Sequence, residues 1–213
     1  MRPRNPSPSR RDEIRTAART LFITQGFANT TTDAIAAAAS VSKQTIYACY
    51  PSKEEILADV LVHFVEGFDS AAILHDARSV DDIPSLRRRL QELGERMIAS
   101  LMQPDYLALA RVIIGEAPRF PQLGAQLEKS VPDRVLGSVA ATLEEARVAG
   151  FVDVPNIDVA GRCFVGGLLT YVLLDGLLSP ATEPKRPPAT VIAAIVEHTL
   201  RAVVPSSEQG SGE

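Results

Sequence analysis

The chain has 213 residues, 46% of them hydrophobic and only 5% aromatic, with no Trp, a balance that suits packed helices and is long enough to bury a core without disulfides or metal. Its two cysteines, Cys49 and Cys163, give neither a disulfide framework nor a zinc spacing, so a reducing cytoplasm is the expected compartment. The net charge of −4 argues against a nucleic-acid partner until the chain is divided: residues 1–55 carry eight Lys/Arg against five Asp/Glu, and the rest is net acidic, which fits a small basic DNA-facing domain on an acidic body.

Residues 1–9 hold Arg2 and Arg4 among Pro and Ser, with no apolar core for a signal peptide, and read as a disordered basic arm. Helical periodicity starts near Arg10, with Ile14, Ala17, Ala18, Leu21 and Phe22 on one face, and Gly26 stops it. Short helices are predicted over about 32–39 and 43–49, and Pro51 ends the second because the residue before a proline is pushed out of helical geometry. Ser52-Lys53-Glu54-Glu55 reads as a capping box that opens a long helix to about Ala77. Further helices are predicted near 83–102, 105–117, 121–130, 132–149, 156–178 and 188–204. Prolines fall between them, and the tail after Pro205 reads as disordered. The expected fold is all-α: a helix-turn-helix bundle over 10–51 and a larger helical domain over 52–204.

Within the bundle, Ile35, Ala36, Ala39, Val41 and Ile46 should face inward, with the alanines allowing two short helices to cross closely. Ser42, Lys43, Gln44, Thr45 and Tyr47 gather at the start of the second, where a recognition helix presents side chains to the major groove. Gln44 can bond an adenine edge bidentately, and Lys43 can donate to guanine or phosphate. An ordinary three-helix bundle with a polar face is the bland alternative.

The stretch from Gly26 to Glu55, through Val41-Ser42-Lys43-Gln44-Thr45-Ile46-Tyr47 and Tyr50-Pro51-Ser52-Lys53, closely resembles the TetR family of transcription regulators over about residues 10–60. The resemblance implies that Thr30 or Thr31, Tyr47 and Lys53 clamp phosphates, that Lys43, Gln44 and Thr45 read bases, and that Ser42 caps the recognition helix. It departs from the family at Ser40, where glycine is usual and a left-handed backbone would cost about 1–2 kcal/mol. It departs again at Ala48 and Cys49, where phosphate contacts are missing and the arm with Arg10 and Arg11 would compensate. Cys49 is expected to be a small buried filler rather than a redox sensor. The run Glu116-Ala117-Pro118-Arg119-Phe120-Pro121 resembles a subgroup whose helix ends at such a turn and which controls efflux or related stress genes.

The body carries an apolar stretch, Val159–Leu178, whose clean run from Cys163 to Leu174 is about half the roughly 20 residues of a membrane span, so no membrane partner is expected. A helix apolar all round must be covered all round, one face by its own body and the other by a partner subunit. Gly161, Gly166 and Gly167 would permit close approach, and the amphipathic final helix would complete a homodimer interface. The resemblance implies a chamber for a small-molecule effector, with Phe64, Phe68, Met97, Leu101, Tyr106, Arg111, Phe120, Phe164 and Tyr171 as candidate wall residues. Arg111 and Tyr171 are the expected polar anchors. Arg87-Arg88-Arg89 reads as a solvated face. His63, His75 and His198 share no metal-ligand spacing, and no catalytic motif appears, so neither an enzyme nor a cofactor is expected. The expected function is a repressor of palindromic operator DNA, released by a lipophilic effector. A dimer controlled by a protein partner or by abundance is the alternative.

Overall fold

A computed structural model describes residues 8–69, 79–119, 121–179 and 183–204, and for residues 8, 9, 64–69 and 121–134 it describes the backbone alone. Residues 1–7 of the expected arm, the expected tail, the helix end expected at 70–77, and Phe120 lie outside the described residues. So do the side chains of Phe64 and Phe68. Among the described residues every element is helical. Two compact units emerge: Met1–Gly67 with Asp105–Ser130, and Phe68–Pro104 with Val131–Glu213.

The first unit is built on α1 (Pro8–Gln25), α2 (Thr32–Ala38), α3 (Lys43–Cys49) and α4 (Lys53–Asp69). α1 begins two residues earlier than expected, because a proline in the first turn loses no intrahelical bond. Ile14, Ala18 and Phe22 are fully buried, Gly26 ends the helix at φ +79°, and the Phe22 and Phe27 rings lie 5.5 Å apart. Ile35, Ala36 and Ile46 are buried as expected, while Ala39 and Val41 are half-buried. At the start of α4, Ser52 Oγ accepts from the Glu55 amide at 3.3 Å, which is one half of the expected capping box. α6 (Pro104–Glu116) belongs to this unit, and Asp105 in its first turn accepts from Arg19 of α1 at 2.5 Å.

α2 closes in a Schellman motif. The Ser40 amide donates to Ala37 O and the Val41 amide to Ala36 O, with Ser40 at φ +53°. The motif requires this left-handed residue, and serine occupies it against the steric preference of an L-residue. Ser40→Gly is therefore expected to raise stability by about 1 kcal/mol, seen as a higher melting midpoint with unchanged DNA affinity. A lower midpoint would mean that the Ser40 side chain offsets its own backbone strain.

The second unit is centred on α5 (Ile83–Leu101), α8 (Ile157–Tyr171) and α9 (Ala189–Val203). α5 has a full capping box: Asp82 Oδ1 accepts from the Ser85 amide at 2.8 Å and Ser85 Oγ accepts from the Asp82 amide at 3.0 Å. Its predicted stripe of Leu86, Leu90, Leu93, Met97 and Leu101 is buried. α7 (Pro121–Val148) is one helix where a break was expected at Pro132. A proline inside a helix removes one bond and crowds the preceding turn. Here the buried Val135, Val139, Leu143 and Ala146 beyond it offset that cost by packing. The division between the units falls at Ser130/Val131, next to this proline.

α8 passes into a π-helical segment, Val172–Leu177, closed by a five-residue bond from the Leu178 amide to Leu173 O at 2.9 Å. Ile157–Leu177 is thus long and apolar enough to cross a membrane, so the length argument made from the clean apolar run does not hold. What the structure supplies instead is an inward stripe of Gly161, Phe164, Val165, Leu168 and Val172 packed within this unit. Of the glycines expected to allow close approach, Gly167 faces α9, where an added Cβ would lie 3.4 Å from Ile195 Cγ2, and Gly166 faces open space. The tightest crossing is at Gly94, which sequence reasoning did not single out. A Cβ there would stand 2.8 Å from Ile192 Cγ2 and 3.3 Å from Leu168 Cδ1.

Candidate nucleic-acid interface

The polar residues expected at the start of α3 are there, on the outside of the first unit. Ser42 is the N-cap: its Oγ accepts from the Thr45 amide at 3.1 Å and bonds Thr45 Oγ1 at 2.8 Å, so serine and threonine hold each other in one geometry. Lys43 is exposed and pairs with Asp33 of α2 at 2.8 Å, an interaction that raises the lysine pKa. Gln44 is exposed, and its amide is uncommitted among the described residues. Tyr47 is 51% exposed, with its hydroxyl 3.4 Å from Thr32 Oγ1. Gln44 and Tyr47 lie three residues apart, on one face of α3.

The structure separates the two threonines. Thr30 is buried, and its hydroxyl donates to Gly26 O at 2.8 Å and lies 3.3 Å from Leu21 O. Its side chain is a staple for the end of α1 and does not face a phosphate, which corrects half of the expectation. Thr31 is exposed and caps α2, its Oγ1 accepting from the Ala34 amide at 3.1 Å. That leaves its hydroxyl proton available to donate outward.

Lys53 also has an internal role that the sequence did not reveal. Its ammonium donates to Phe27 O at 2.7 Å and Thr30 O at 2.8 Å and sits 4.2 Å over the Phe27 ring. Lys53 therefore ties the start of α4 to the turn that carries Thr31, with one of its three N–H donors left over.

Behind α3 lies a lock absent from the sequence reading. Arg15 Nε and the Tyr50 hydroxyl both donate to Asp59 Oδ2, at 3.0 and 2.5 Å, joining α1, the end of α3 and α4. Burial pushes the Asp59 carboxyl up, but the bonds from Tyr50 and Arg15 outweigh it and hold the carboxyl below its usual range. Burial and the bond to Asp59 together push the Tyr50 phenol well above its usual value. Arg11 donates to Cys49 O at 2.8 Å, at the end of α3, and its guanidinium stacks 5.0 Å over the Tyr50 ring. Burial pushes the Cys49 thiol up despite Arg11 and Arg10 nearby, which fits the expected inert filler. These partners are 9 to 44 residues apart, so no local spacing could have signalled them.

The candidate chamber residues scatter. Met97, Leu101 and Phe164 are packed core of the second unit. Tyr106, largely buried, has a phenol pushed up to about 12 by burial, and Arg111 on the same helix α6 is exposed. Tyr171 lines an apolar groove of about 640 Å³ along α8 and α9, with Val159, Cys163, Gly167, Ile195 and His198. Beside it α8 and its π segment expose Val159, Leu169, Leu173, Leu174 and Leu178 to between 41 and 65%.

Comparison with known proteins matches residues 14–60 to bacterial regulatory proteins of the tetR family, and residues 88–203 to the C-terminal domain of AefR-like transcriptional repressors. An uncharacterised HTH-type transcriptional regulator of Mycobacterium tuberculosis is 29% identical over 99% of this chain and 95% of its own length. A crystal structure of a TetR-family regulator from Mesorhizobium loti superposes with a TM-score of 0.75 at 26% identity, covering 92% of this chain and 98% of that one. The flavonoid-responsive regulator FrrA superposes at 0.72 with 28% identity, covering 94% and 100%.

Proposed function

Since the chain belongs to the TetR family and is a transcription regulator rather than an enzyme, we propose that it is a cytoplasmic homodimeric repressor of a palindromic operator, released by a small lipophilic ligand. The observation that carries the DNA-binding part is the exposed, uncommitted Gln44 beside Lys43 and Tyr47, on a helix rigidly capped by Ser42. In this reading Lys43, Gln44 and Thr45 meet base edges, while Thr31, Tyr47 and the spare donor of Lys53 meet phosphates. The basic arm adds further phosphate contacts. The dimer reading is supported by the exposed leucines on α8, and it sets the two recognition helices about 34–36 Å apart, one turn of DNA.

Gln44→Ala is expected to relax base choice by about 1–3 kcal/mol at one position of each half-site while the melting midpoint stays unchanged. Lys53→Ala is expected to weaken binding to every DNA sequence and to make the log–log salt dependence shallower by about 0.9 per lost phosphate contact. An unchanged slope with a lowered midpoint would leave Lys53 as a strut alone. The operator itself would come from a genome-wide pull-down of bound fragments followed by footprinting.

The ligand part is supported by the match to a repressor C-terminal domain and by a relative described as flavonoid-responsive. Heat denaturation with a panel of lipophilic compounds tests it: a specific ligand raises the midpoint and, over the same concentrations, frees the operator fragment. Identical melting with every compound, and an operator held throughout, would favour control by a protein partner or by abundance.

A further inference from the structure

We propose that Arg96 is the anion anchor of the body, binding the carboxylate of an otherwise apolar small molecule; this rests on the reading above that the body takes a ligand. Arg96 lies on the flank of α5 in a half-buried polar stripe with Arg89 and Glu92, next to the buried Leu93 and Met97. Its Nε is buried and has no hydrogen-bond acceptor among the described residues. Glu92 comes only to within 3.9 Å of Nη2, beyond hydrogen-bond reach, although both side chains are largely withdrawn from solvent, at 28 and 31% exposure.

The other arginines of this chain show what that edge ordinarily does. Arg147 closes its Nε–Nη2 edge on the Glu144 carboxylate at 2.8 and 2.6 Å. Arg15 and Arg162 also place Nε on a carboxylate, at 3.0 Å on Asp59 and 2.9 Å on Asp158. Arg147 and Arg162 do this on the surface, where water would serve almost as well. Arg96, where an unmade bond costs more, leaves the same edge open. The Nε–Nη2 fork fits a planar carboxylate. Arg89, Glu92 and Arg96 carry one net positive charge, so a monoanion balances the stripe and a dianion would meet Glu92. The flanking leucine and methionine favour an apolar remainder.

The test uses the full chain, with decanoate as probe and 1-decanol as its neutral counterpart, by calorimetry and by melting. The wild-type protein should bind decanoate at least tenfold tighter than 1-decanol. Arg96→Met should abolish that preference, leave 1-decanol affinity unchanged, and melt at the same or a higher temperature without ligand, because the orphaned N–H is gone. Arg96→Lys, which keeps the charge and loses the fork, should retain part of the preference. The proposal is overturned if wild type shows no preference or binds neither probe. It is equally overturned if the preference survives in Arg96→Met, or if both variants fail to fold, which would make Arg96 structural. A neutral compound that raises the midpoint and frees the operator, where decanoate does neither, would sink the anion anchor and leave the ligand-gated repressor standing.

Discussion

Leu169→Arg should convert the protein to a helical, stably folded monomer and weaken palindrome binding by at least 100-fold, with half-site binding little changed. Leu169 is already 41% exposed on the outward face of α8, so a charged side chain there disturbs nothing within the subunit. Against a partner subunit the same arginine would be buried without a counter-charge, at a cost of several kcal/mol. Losing the partner removes the effective concentration by which one bound head holds the other on the DNA, a factor of about 10²–10⁴. Sedimentation at micromolar concentration and a gel-shift on whole and half palindromes read both effects. Gly167→Arg would be the poorer test, because Gly167 faces Ile195 of its own subunit. If Leu169→Arg remains a dimer, another face joins the subunits.

Asp59→Ala should lower the stability of the first unit by about 2–3 kcal/mol and weaken binding to all DNA sequences alike. The substitution strands the Arg15 guanidinium and the Tyr50 hydroxyl, both largely buried, and frees the end of the recognition helix from α4. Its pH dependence identifies it. The folded-state pKa of Asp59 is depressed, so its stabilisation is present above the unfolded value of about 4 and is lost as pH falls through the folded value. The Tyr50 pKa is raised, so the phenol's contribution is intact below about 10 and declines above it. The gap in stability between wild type and Asp59→Ala should thus be flat from about pH 5 to 9 and close on the acid side. A gap that persists unchanged to pH 2 would mean that the carboxylate charge is not what Arg15 and Tyr50 recognise. Tyr50→Phe, which keeps the ring under Arg11, should cost less, about 1 kcal/mol.

Most helices were legible because their determinants are local. Gly26, Pro51 and Ser42 are start and stop signals whose chemistry acts within one turn, and the α5 stripe is a period of 3.6. Ser40 was legible for the same reason, since the turn between α2 and α3 requires a left-handed residue whatever surrounds it. Where the local rule failed, a distant contact had overridden it. Pro132 lies inside α7 because residues beyond it are buried, and the clean apolar run misjudged α8 because helix length is set by backbone bonds and packing as well as by side-chain hydropathy.

The candidate interface divides along the same line. Sequence alone determined that Ser42 caps a helix presenting Lys43, Gln44 and Tyr47, because residue spacing on a helix fixes which side chains share a face. Only the tertiary structure decided that Thr30 is a buried staple while Thr31 is exposed, that Lys53 spends two donors on the Phe27–Thr30 turn, and that Asp59 locks Tyr50 to Arg15. Whether a hydroxyl, an ammonium or a carboxylate is available or committed depends on which acceptors and donors the fold brings within about 3 Å. Those partners come from segments far apart in the chain, which no local pattern encodes.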